Sequence, residues 1–310
     1  MIGTIYVDVP YLTRFEHRAR GMSFLSHQPR ASILAGRHGS RVRGRGLDFE
    51  ELRAYVPGDD IRTIDWKVTL RTGKAQVRAY TEERDRPALF VVDQRIPMFF
   101  GSRRAMKSVI AAELGALGAW IVFQSGDRAG AIVFNDDTVQ RIRPLRSRER
   151  VHAILGAISA MNGRLEADSG VQPAYDQLNH ALESALQIAT HDHLICIISD
   201  FAGADRRTQD LLRQLAAHND VLATLVFDPG AQSMPGTGRL VVTGGELQVE
   251  LDFAKGAVRE PLESLFSGRL HAVGELLRRS GVPLLAINTE QDSVAQLQRL
   301  LGRQSRRAAI

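Results

Sequence analysis

The sequence is poor in cysteine, which limits the covalent chemistry open to it. Cys196 is the single cysteine among 310 residues, so no disulfide can form within the chain and a reducing compartment is the simplest expectation. It lies inside the apolar run 194–198. We therefore expect a buried structural thiol at this position rather than a nucleophile.

Long apolar runs are also missing. No stretch reaches the roughly 18 consecutive apolar residues that a membrane-spanning helix requires. Residues 1–20 lack the basic segment followed by an apolar one that is typical of a secretory signal. These absences predict a cytoplasmic protein without a membrane span.

Positive charge is in modest excess, with a formal net charge of +5. Basic clusters can bind nucleic acid or anionic lipid. The basic residues cluster as arginines in two parts of the chain, and no aromatic residues that could stack on bases lie between the arginines of either cluster. We therefore do not expect nucleic-acid binding and interpret the two clusters as solvated flanks. The clustered arginines are Arg37, Arg41, Arg43, Arg45, Arg299, Arg303, Arg306 and Arg307.

From about residue 86 to the C-terminus, apolar runs of strand length alternate with segments of helical period. This pattern is typical of an α/β fold in which helices cover both faces of a mostly parallel sheet. Gly244-Gly245 further predicts the turn of a β-hairpin. The predicted strands are 88–92, 129–134, 138–142, 193–199, 221–227, 240–243, 246–251 and 282–287, and the predicted helices are 103–124, 147–161, 172–190, 205–217, 262–279 and 293–301.

Residues 1–85 have a different character, because proline and glycine interrupt any long element. Alternating side chains predict one strand over residues 75–81, which begins after the turn Thr72-Gly73. We therefore divide the chain into a small, loop-rich N-terminal region with some β structure (1–85) and a large α/β domain (86–310).

One N-terminal motif is specific enough to indicate a family. Residues 53–66 read Arg-Ala-Tyr-Val-Pro-Gly-Asp-Asp-Ile-Arg-Thr-Ile-Asp-Trp, after Gly-Arg-Gly-Leu-Asp-Phe at 44–49. This string resembles the signature of the bacterial family catalogued as domain of unknown function 58. Asp-Arg-Ala-Gly at 127–130 and Ile-Ser-Asp-Phe at 198–201 also fit that family.

The resemblance implies a fold and a partner. It implies that the large domain is a doubly wound sheet like that of von Willebrand factor A domains. It also implies an association with a MoxR-type AAA+ ATPase. We therefore expect a non-enzymatic protein-interaction module, an adaptor or partner of such an ATPase, with no small-molecule substrate.

The resemblance also directs attention to a metal site. Metal-binding von Willebrand A domains carry Asp-x-Ser-x-Ser after the first strand, a threonine in a second loop and a later aspartate. Here Asp93 is followed by Gln94-Arg95-Ile96-Pro97, and Val171 stands near the threonine position. Asp93 and Asp200 remain, and the Arg95 guanidinium can replace the ion by pairing with one or both carboxylates.

Two interpretations of this site follow. The first is a degenerate, metal-free site without a cofactor, in which the strand ends near Asp93, Arg95, Val171 and Asp200 take part in binding a protein partner. The alternative is a Mg²⁺-dependent adhesion or chaperone-like module that binds an acidic residue of a client. Capping of loop N–H groups would also account for both aspartates.

The segment around Pro57-Gly58 is a second candidate for partner binding. Two interpretations stay open, since its charged and aromatic side chains can dock the ATPase or brace the fold. An exposed tryptophan favours docking, and a buried one favours bracing. The candidate residues are Tyr55, Asp59, Asp60, Arg62, Asp65 and Trp66.

Other patterns do not predict catalysis. Residues 101–108 imitate a phosphate-binding loop, but Met106 stands where that loop needs its second glycine, and Lys107 is interpreted as a solvated helix residue. His191 and His193 lack a third metal ligand at useful spacing. Because no catalytic triad or nucleophile elbow stands out, we expect that the protein is not an enzyme.

Overall fold

The computed structural model describes residues 4–22, 47–56, 61–82, 87–167, 170–231, 239–243, 248–252, 268 and 271–300. The chain forms two compact units. The main unit comprises residues 1–35 and 86–310, and the small unit comprises residues 36–85.

A six-stranded sheet organises the main unit. Its strands are β3 (Ala88–Asp93), β4 (Ala129–Phe134), β5 (Val139–Leu145), β6 (Leu194–Ser199), β7 (Asp220–Phe227) and β10 (Leu284–Asn288), where β1 and β2 belong to the small unit and β8 and β9 to a separate hairpin. The spatial order is β10-β7-β6-β3-β4-β5. All neighbours are parallel except β4 and β5. The predicted α/β class with a mostly parallel sheet is confirmed.

Helices cover both faces of this sheet, which is why β3 and β4 are buried along their full length. Phe90 and Val92 of β3 pack into one core cluster, and Leu89 and Val91 pack into the other. The longer helices are α4 (Lys107–Gln124), α5 (Arg148–Asn162), α6 (Gln177–Ile188), α7 (Arg206–His218), α8 (271–279) and α9 (Ser293–Leu300). Helices α4, α5 and α9 contribute to the first cluster, whereas α6, α7 and α8 contribute to the second.

Helix α4 is the central helix of the first cluster. A Cβ on Gly118 would lie 2.3 Å from the Phe90 ring, so glycine allows the helix to approach the sheet closely. By length and composition α4 is the one described helix apolar enough to cross a membrane, and 83% of it is buried inside the protein. Such burial is also typical of the core helix of a globular domain.

The first two helices belong to the main unit and pack against its helices α4 and α5. Helices α1 (Val9–Thr13) and α2 (Phe15–Ala19) bury Leu12 and Phe15 in the cluster that contains α4 and α5. The predicted N-terminal region 1–85 includes these two helices, whereas in the structure they group with the α/β body. Two helices of five residues each are too short for a clear helical period.

The small unit contains a two-stranded antiparallel sheet, formed by β1 (Leu47–Ala54) and β2 (Gln76–Glu82), and the helix α3 (Trp66–Thr72). The predicted strand at 75–81 is confirmed as β2. Strand β1 and helix α3 were not predicted. Asp65 caps α3, and Gly73 ends it in the left-handed conformation at φ +70°.

The predicted hairpin near residue 245 is present as β8 (Arg239–Thr243) paired with β9 (Gln248–Asp252). Its Gly244-Gly245 turn lies outside the described residues. So do the arginine cluster at 37–45 and Arg303, Arg306 and Arg307.

Candidate functional site

The candidate site lies where two adjacent parallel strands end. Strands β3 and β6 are paired in parallel, so their carboxyl ends meet at the same edge of the sheet. Asp93 ends β3, and Asp200 follows Ser199 at the end of β6. Adjacent strand ends in open α/β sheets commonly form the crevice where ligands bind.

Arg95 and Asp93 form a fully buried ion pair at this edge. The Arg95 Nη2 donates to Asp93 Oδ2 at 2.7 Å, and Nε donates to Asp93 Oδ1 at 3.0 Å. Both side chains are 0% exposed. Two parallel N–H···O bonds fix the guanidinium in the plane of the carboxylate, so the two residues form one rigid unit.

Arg95 also has hydrogen-bond acceptors at the guanidinium nitrogen that does not contact Asp93. Its Nη1 donates to the carbonyl oxygens of Ala202 at 3.1 Å and Tyr175 at 3.3 Å. Its Cζ lies 5.4 Å from the centroid of the Phe134 ring, within cation–π range. Burial alone would lower the pKa of Arg95, but the charge of Asp93 and its hydrogen bonds outweigh this and raise the pKa above its ordinary value. Arg95 therefore stays charged.

Gly203 allows one of these contacts to form. It adopts φ +78°, and a Cβ there would lie 2.4 Å from the Cβ of Tyr175. The loop after β6 can therefore pass close to Tyr175, whose carbonyl oxygen accepts from Arg95. Neither Gly203 nor Tyr175 is among the predicted site residues, because no local pattern indicates that these two loops meet.

Ser199, which is not among the predicted site residues, adds a hydroxyl to this edge. Its Oγ donates to Asp93 Oδ2 at 2.6 Å and accepts from the backbone N–H of Phe201 at 2.8 Å. Phe201 has φ +54°, a left-handed conformation that is uncommon for a bulky residue. Ser199 therefore links the ends of β3 and β6 and helps to hold this turn.

Asp200 forms an ion pair with Lys107, and its negative charge also helps to raise the pKa of Arg95. Lys107 Nζ lies 2.6 Å from Asp200 Oδ2, and the two side chains are 13% and 7% exposed. The prediction that Lys107 is an ordinary solvated helix residue is wrong, because the first turn of α4 directs it to the sheet edge. Asp200 Oδ1 also accepts from the Ala202 N–H at 2.9 Å. Lys107 is thus a cationic partner of Asp200, as Arg95 is of Asp93.

Asp136 connects three loops beside this edge. Its carboxylate accepts from the backbone N–H groups of Ile96 at 2.6 Å and Ala174 at 2.9 Å. Burial raises the pKa of Asp136 above its ordinary value, although these two N–H groups act in the opposite direction. A small cleft of about 50 Å³ lies here, and Val171 lines it together with Ile96 and Asp136.

A chain of buried amides connects the edge to the N-terminal segment. Gln94, between the two paired residues, donates to the Ser108 carbonyl oxygen at 3.0 Å and accepts from Asn162 Nδ2 at 2.9 Å. Asn162 in turn accepts from the Val7 N–H at 2.9 Å. Gln94 and Asn162 are both 0% exposed. Residues far apart in sequence therefore hold the loop that carries Arg95.

The burial of the edge changes the interpretation of three predicted partner-binding residues. Asp93 and Arg95 are fully buried, and Asp200 is 7% exposed. These side chains hold the loops in place through their hydrogen bonds. Because a partner contacts surface atoms, such buried side chains do not themselves form a contact surface. The expectation that they bind a partner directly is corrected accordingly.

The remaining predicted residues belong to the small unit. Tyr55 is partly buried, Arg62 is exposed, and Asp65 caps α3 by accepting from the N–H groups of Lys67 and Val68, both at 3.1 Å. Trp66 is 65% exposed. Asp59 and Asp60 lie outside the described residues.

The residues considered for other chemistry remain structural or solvated. Burial raises the pKa of the Cys196 thiol to about 12, which suits a core residue and not a nucleophile. The prediction of a buried structural thiol is confirmed. Within the described part of the chain, no group of three or more His, Cys, Asp or Glu residues is arranged to hold a metal ion.

Together, these features define an α/β protein whose sheet edge is closed by buried ion pairs. The sequence profile of the family described as "Protein of unknown function DUF58" matches residues 51–267. The chain belongs to this family, as the N-terminal motif predicted.

Relatives from mycobacteria support the assignment. The uncharacterized protein Rv1480 of Mycobacterium tuberculosis is 30% identical over 277 residues, which cover 89% of this chain and 85% of the relative. The uncharacterized protein Mb1516 of Mycobacterium bovis matches to the same extent.

Two solved structures show a weak overall similarity to this chain. The match to BatB from Bacteroides thetaiotaomicron covers 68% of this chain and 94% of the BatB chain, with a TM-score of 0.43 and 13% identity. The match to an aerotolerance-related membrane protein from Bacteroides fragilis covers 69% of this chain and 95% of that protein's chain, with a TM-score of 0.40 and 12% identity.

Proposed function

We propose that this protein is a non-enzymatic, cytoplasmic interaction module that serves as an adaptor or partner of a MoxR-type AAA+ ATPase. Under this proposal the ATPase supplies the chemistry, and this chain supplies a binding surface. The observation that carries the proposal is the exposure of Trp66 and Leu70, which are 65% and 84% exposed on helix α3.

Several features of α3 support a role in binding. Trp66 and Leu70 are one helical turn apart, so their side chains are neighbours on the same side of the helix. Leaving a large apolar side chain in water forgoes roughly 1.5–3 kcal/mol of stabilisation. Tryptophan is also among the residues that most often dominate protein interfaces. Outside α3, Ile61 and Val56 are also exposed, at 64% and 56%.

We further propose that the main unit is a von Willebrand factor A-like, doubly wound domain with a degenerate metal site. Five parallel strands, an antiparallel edge strand β5 and helices on both faces support this assignment. The donor set fits a divalent cation poorly. Arg95 engages both oxygens of Asp93, and a guanidinium and a divalent cation at one carboxylate repel each other. No Mg²⁺-dependent step is therefore assigned.

Binding to the purified MoxR-type ATPase of the same cell tests the proposed function. The double variant Trp66→Ala/Leu70→Ala is expected to weaken the complex at least about tenfold, since interface tryptophans commonly contribute more than 1 kcal/mol. Leu145→Ala is the matched control, because Leu145 is an apolar side chain in the main unit that is 48% exposed. The control variant should bind as the unchanged protein does.

Two results would contradict the proposal. If the unchanged protein does not bind the ATPase in the presence of ATP or ADP, the partnership is rejected. If both variants bind equally well, the ATPase docks elsewhere and α3 is not the surface. Melting temperatures of all three proteins distinguish a lost contact from a lost fold.

Calorimetric titration with Mg²⁺ tests the metal-free part of the proposal. We expect no saturable binding at micromolar concentrations, because Arg95 neutralises Asp93. Saturable binding that Asp93→Asn abolishes would instead support the Mg²⁺-dependent adhesion module.

A further inference from the structure

We infer that the partner surface that covers α3 is an apolar pocket of a protein with an acidic rim. This inference rests on the proposed function and specifies the chemistry of the partner. The supporting observation is that a row of exposed apolar side chains lies beside a row of exposed basic side chains on α3. This surface, defined by Trp66, Lys67, Leu70 and Arg71, is called the α3 surface below.

The two rows are adjacent because of helical geometry. Residues four apart lie above one another, and consecutive residues are about 100° apart around the axis. Trp66 and Leu70 therefore form an apolar row, with Lys67 and Arg71 forming a basic row beside it. All four side chains are exposed.

The opposite side of the helix is turned inward. Val68 and Thr69 are partly buried, and Thr69 Oγ1 accepts from the Gln76 N–H at the start of β2 at 3.0 Å. Asp65 fixes the first turn through two backbone N–H groups. The exposed rows are therefore presented in one orientation by a helix with defined ends, which lowers the entropy cost of binding.

The segment that contains α3 is predominantly basic. Residues 61–76 contain Arg62, Lys67, Arg71 and Lys74 but a single acid, Asp65, whose carboxylate accepts from the helix N-terminus. Among the described residues, none forms an ion pair with Lys67, Arg71 or Lys74 at 4.0 Å or less. Positive charge beside an apolar row favours a partner with complementary acidic groups, which also speed its association.

The same surface is less suited to a membrane. Helices that lie in a lipid interface bury a broad apolar face, and their charged face lies opposite it. Helix α3 has seven residues, and its apolar row of two side chains lies directly beside the basic row. A narrow apolar projection flanked by cations fits a pocket with an acidic rim better than a flat lipid surface.

Charge reversal provides the test. Affinity of the full-length protein for the ATPase is measured at 50 and 300 mM NaCl. The double variant Lys67→Glu/Arg71→Glu should bind about tenfold or more weakly at low salt, and raising the salt should weaken the unchanged protein far more than the variant. Arg143→Glu/Arg206→Glu is the matched control, since both arginines are exposed in the main unit and the change in net charge is the same. It should bind within about twofold of the unchanged protein.

The outcomes separate this inference from the proposed function. Equal binding by the Lys67→Glu/Arg71→Glu variant would overturn the acidic rim, whereas loss of binding in Trp66→Ala/Leu70→Ala would still support the docking surface. Absence of any complex with the unchanged protein would reject both. Vesicles of phosphatidylcholine with 30% phosphatidylglycerol are a second probe. If the unchanged protein binds these vesicles, and if charge reversal abolishes vesicle binding but leaves ATPase binding unchanged, the α3 surface is assigned to a membrane. That result would overturn the inference.

Discussion

The sheet edge of the main unit and helix α3 of the small unit place their side chains in opposite ways. At the edge, charged groups are inside the protein, where Asp93 and Arg95 are fully buried and paired. On α3, the apolar Trp66 and Leu70 are in solvent. Buried charges must be paired to be tolerated, whereas exposed apolar residues do not support the fold. The edge is therefore expected to determine stability and α3 to determine binding.

Removing Arg95 should give the largest effect on stability. Arg95→Met keeps much of the side-chain volume but leaves the Asp93 carboxylate buried without its cation, which is expected to cost about 3–5 kcal/mol. The double variant Asp93→Leu/Arg95→Met should recover part of this loss, because no buried charge remains. Urea unfolding of the three proteins measures the difference. A loss below about 1 kcal/mol in Arg95→Met would contradict the assignment of stability to this pair.

Removing Lys107 should have a smaller effect. Lys107→Met eliminates the ion pair with Asp200, and we expect a loss of about 1–3 kcal/mol in the free energy of unfolding. The expected loss is smaller than for Arg95 because both side chains retain some contact with solvent. Lys107→Arg keeps the cation and should lose less than Lys107→Met. Equal losses in the two variants would indicate that packing, and not charge, determines the effect.

The pH dependence of stability should reveal Asp136. Because its pKa is raised in the folded protein above the ordinary value of 3.8, the folded state binds more protons than the unfolded state between these two pKa values. The stabilisation from this group is fully present below pH 3.8 and is lost as the pH rises through the folded-state pKa. Relative to Asp136→Asn, the unchanged protein should therefore gain stability as the pH falls through this window. Chemical unfolding at several pH values measures the gain, and a parallel pH profile for both proteins would contradict it.

The smallest effect on stability is expected at Trp66. Trp66→Ala should change the free energy of unfolding by less than about 0.5 kcal/mol, as is usual for exposed positions outside the core. Unfolding monitored by circular dichroism measures this change. A loss above about 2 kcal/mol would show that Trp66 braces the small unit, and the contrast between the two regions would then fail.

Periodicity in the sequence predicts the main unit well. The strands of the parallel sheet are continuous apolar runs, and the motif at 53–66 indicates the family. The helices α1 to α3 were missed because they have only five to seven residues, about two turns or fewer. Strand β1 was missed because its alternation of apolar and polar side chains is broken at Glu50-Glu51, where its register shifts.

The site was predicted only in part. Arg95 was expected to pair with an aspartate because the metal-site pattern places it next to Asp93. The pairing of Lys107 with Asp200 is a contact over 93 positions, and no local pattern specifies which of two carboxylates a lysine reaches. Ser199 and Gln94 were missed for a related reason, since their roles depend on how neighbouring strands and helices are arranged.

The amide chain from Val7 through Asn162 to Gln94 has a consequence for how the protein can be handled. A shortened form that starts after residue 22 would lose the donor to Asn162 and uncover the positions that Leu12 and Phe15 occupy on the α/β body. Affinity tags are therefore best placed ahead of an intact first segment, and proteolytic trimming of that segment should disturb the loop that carries Arg95 even though the cut is remote in sequence.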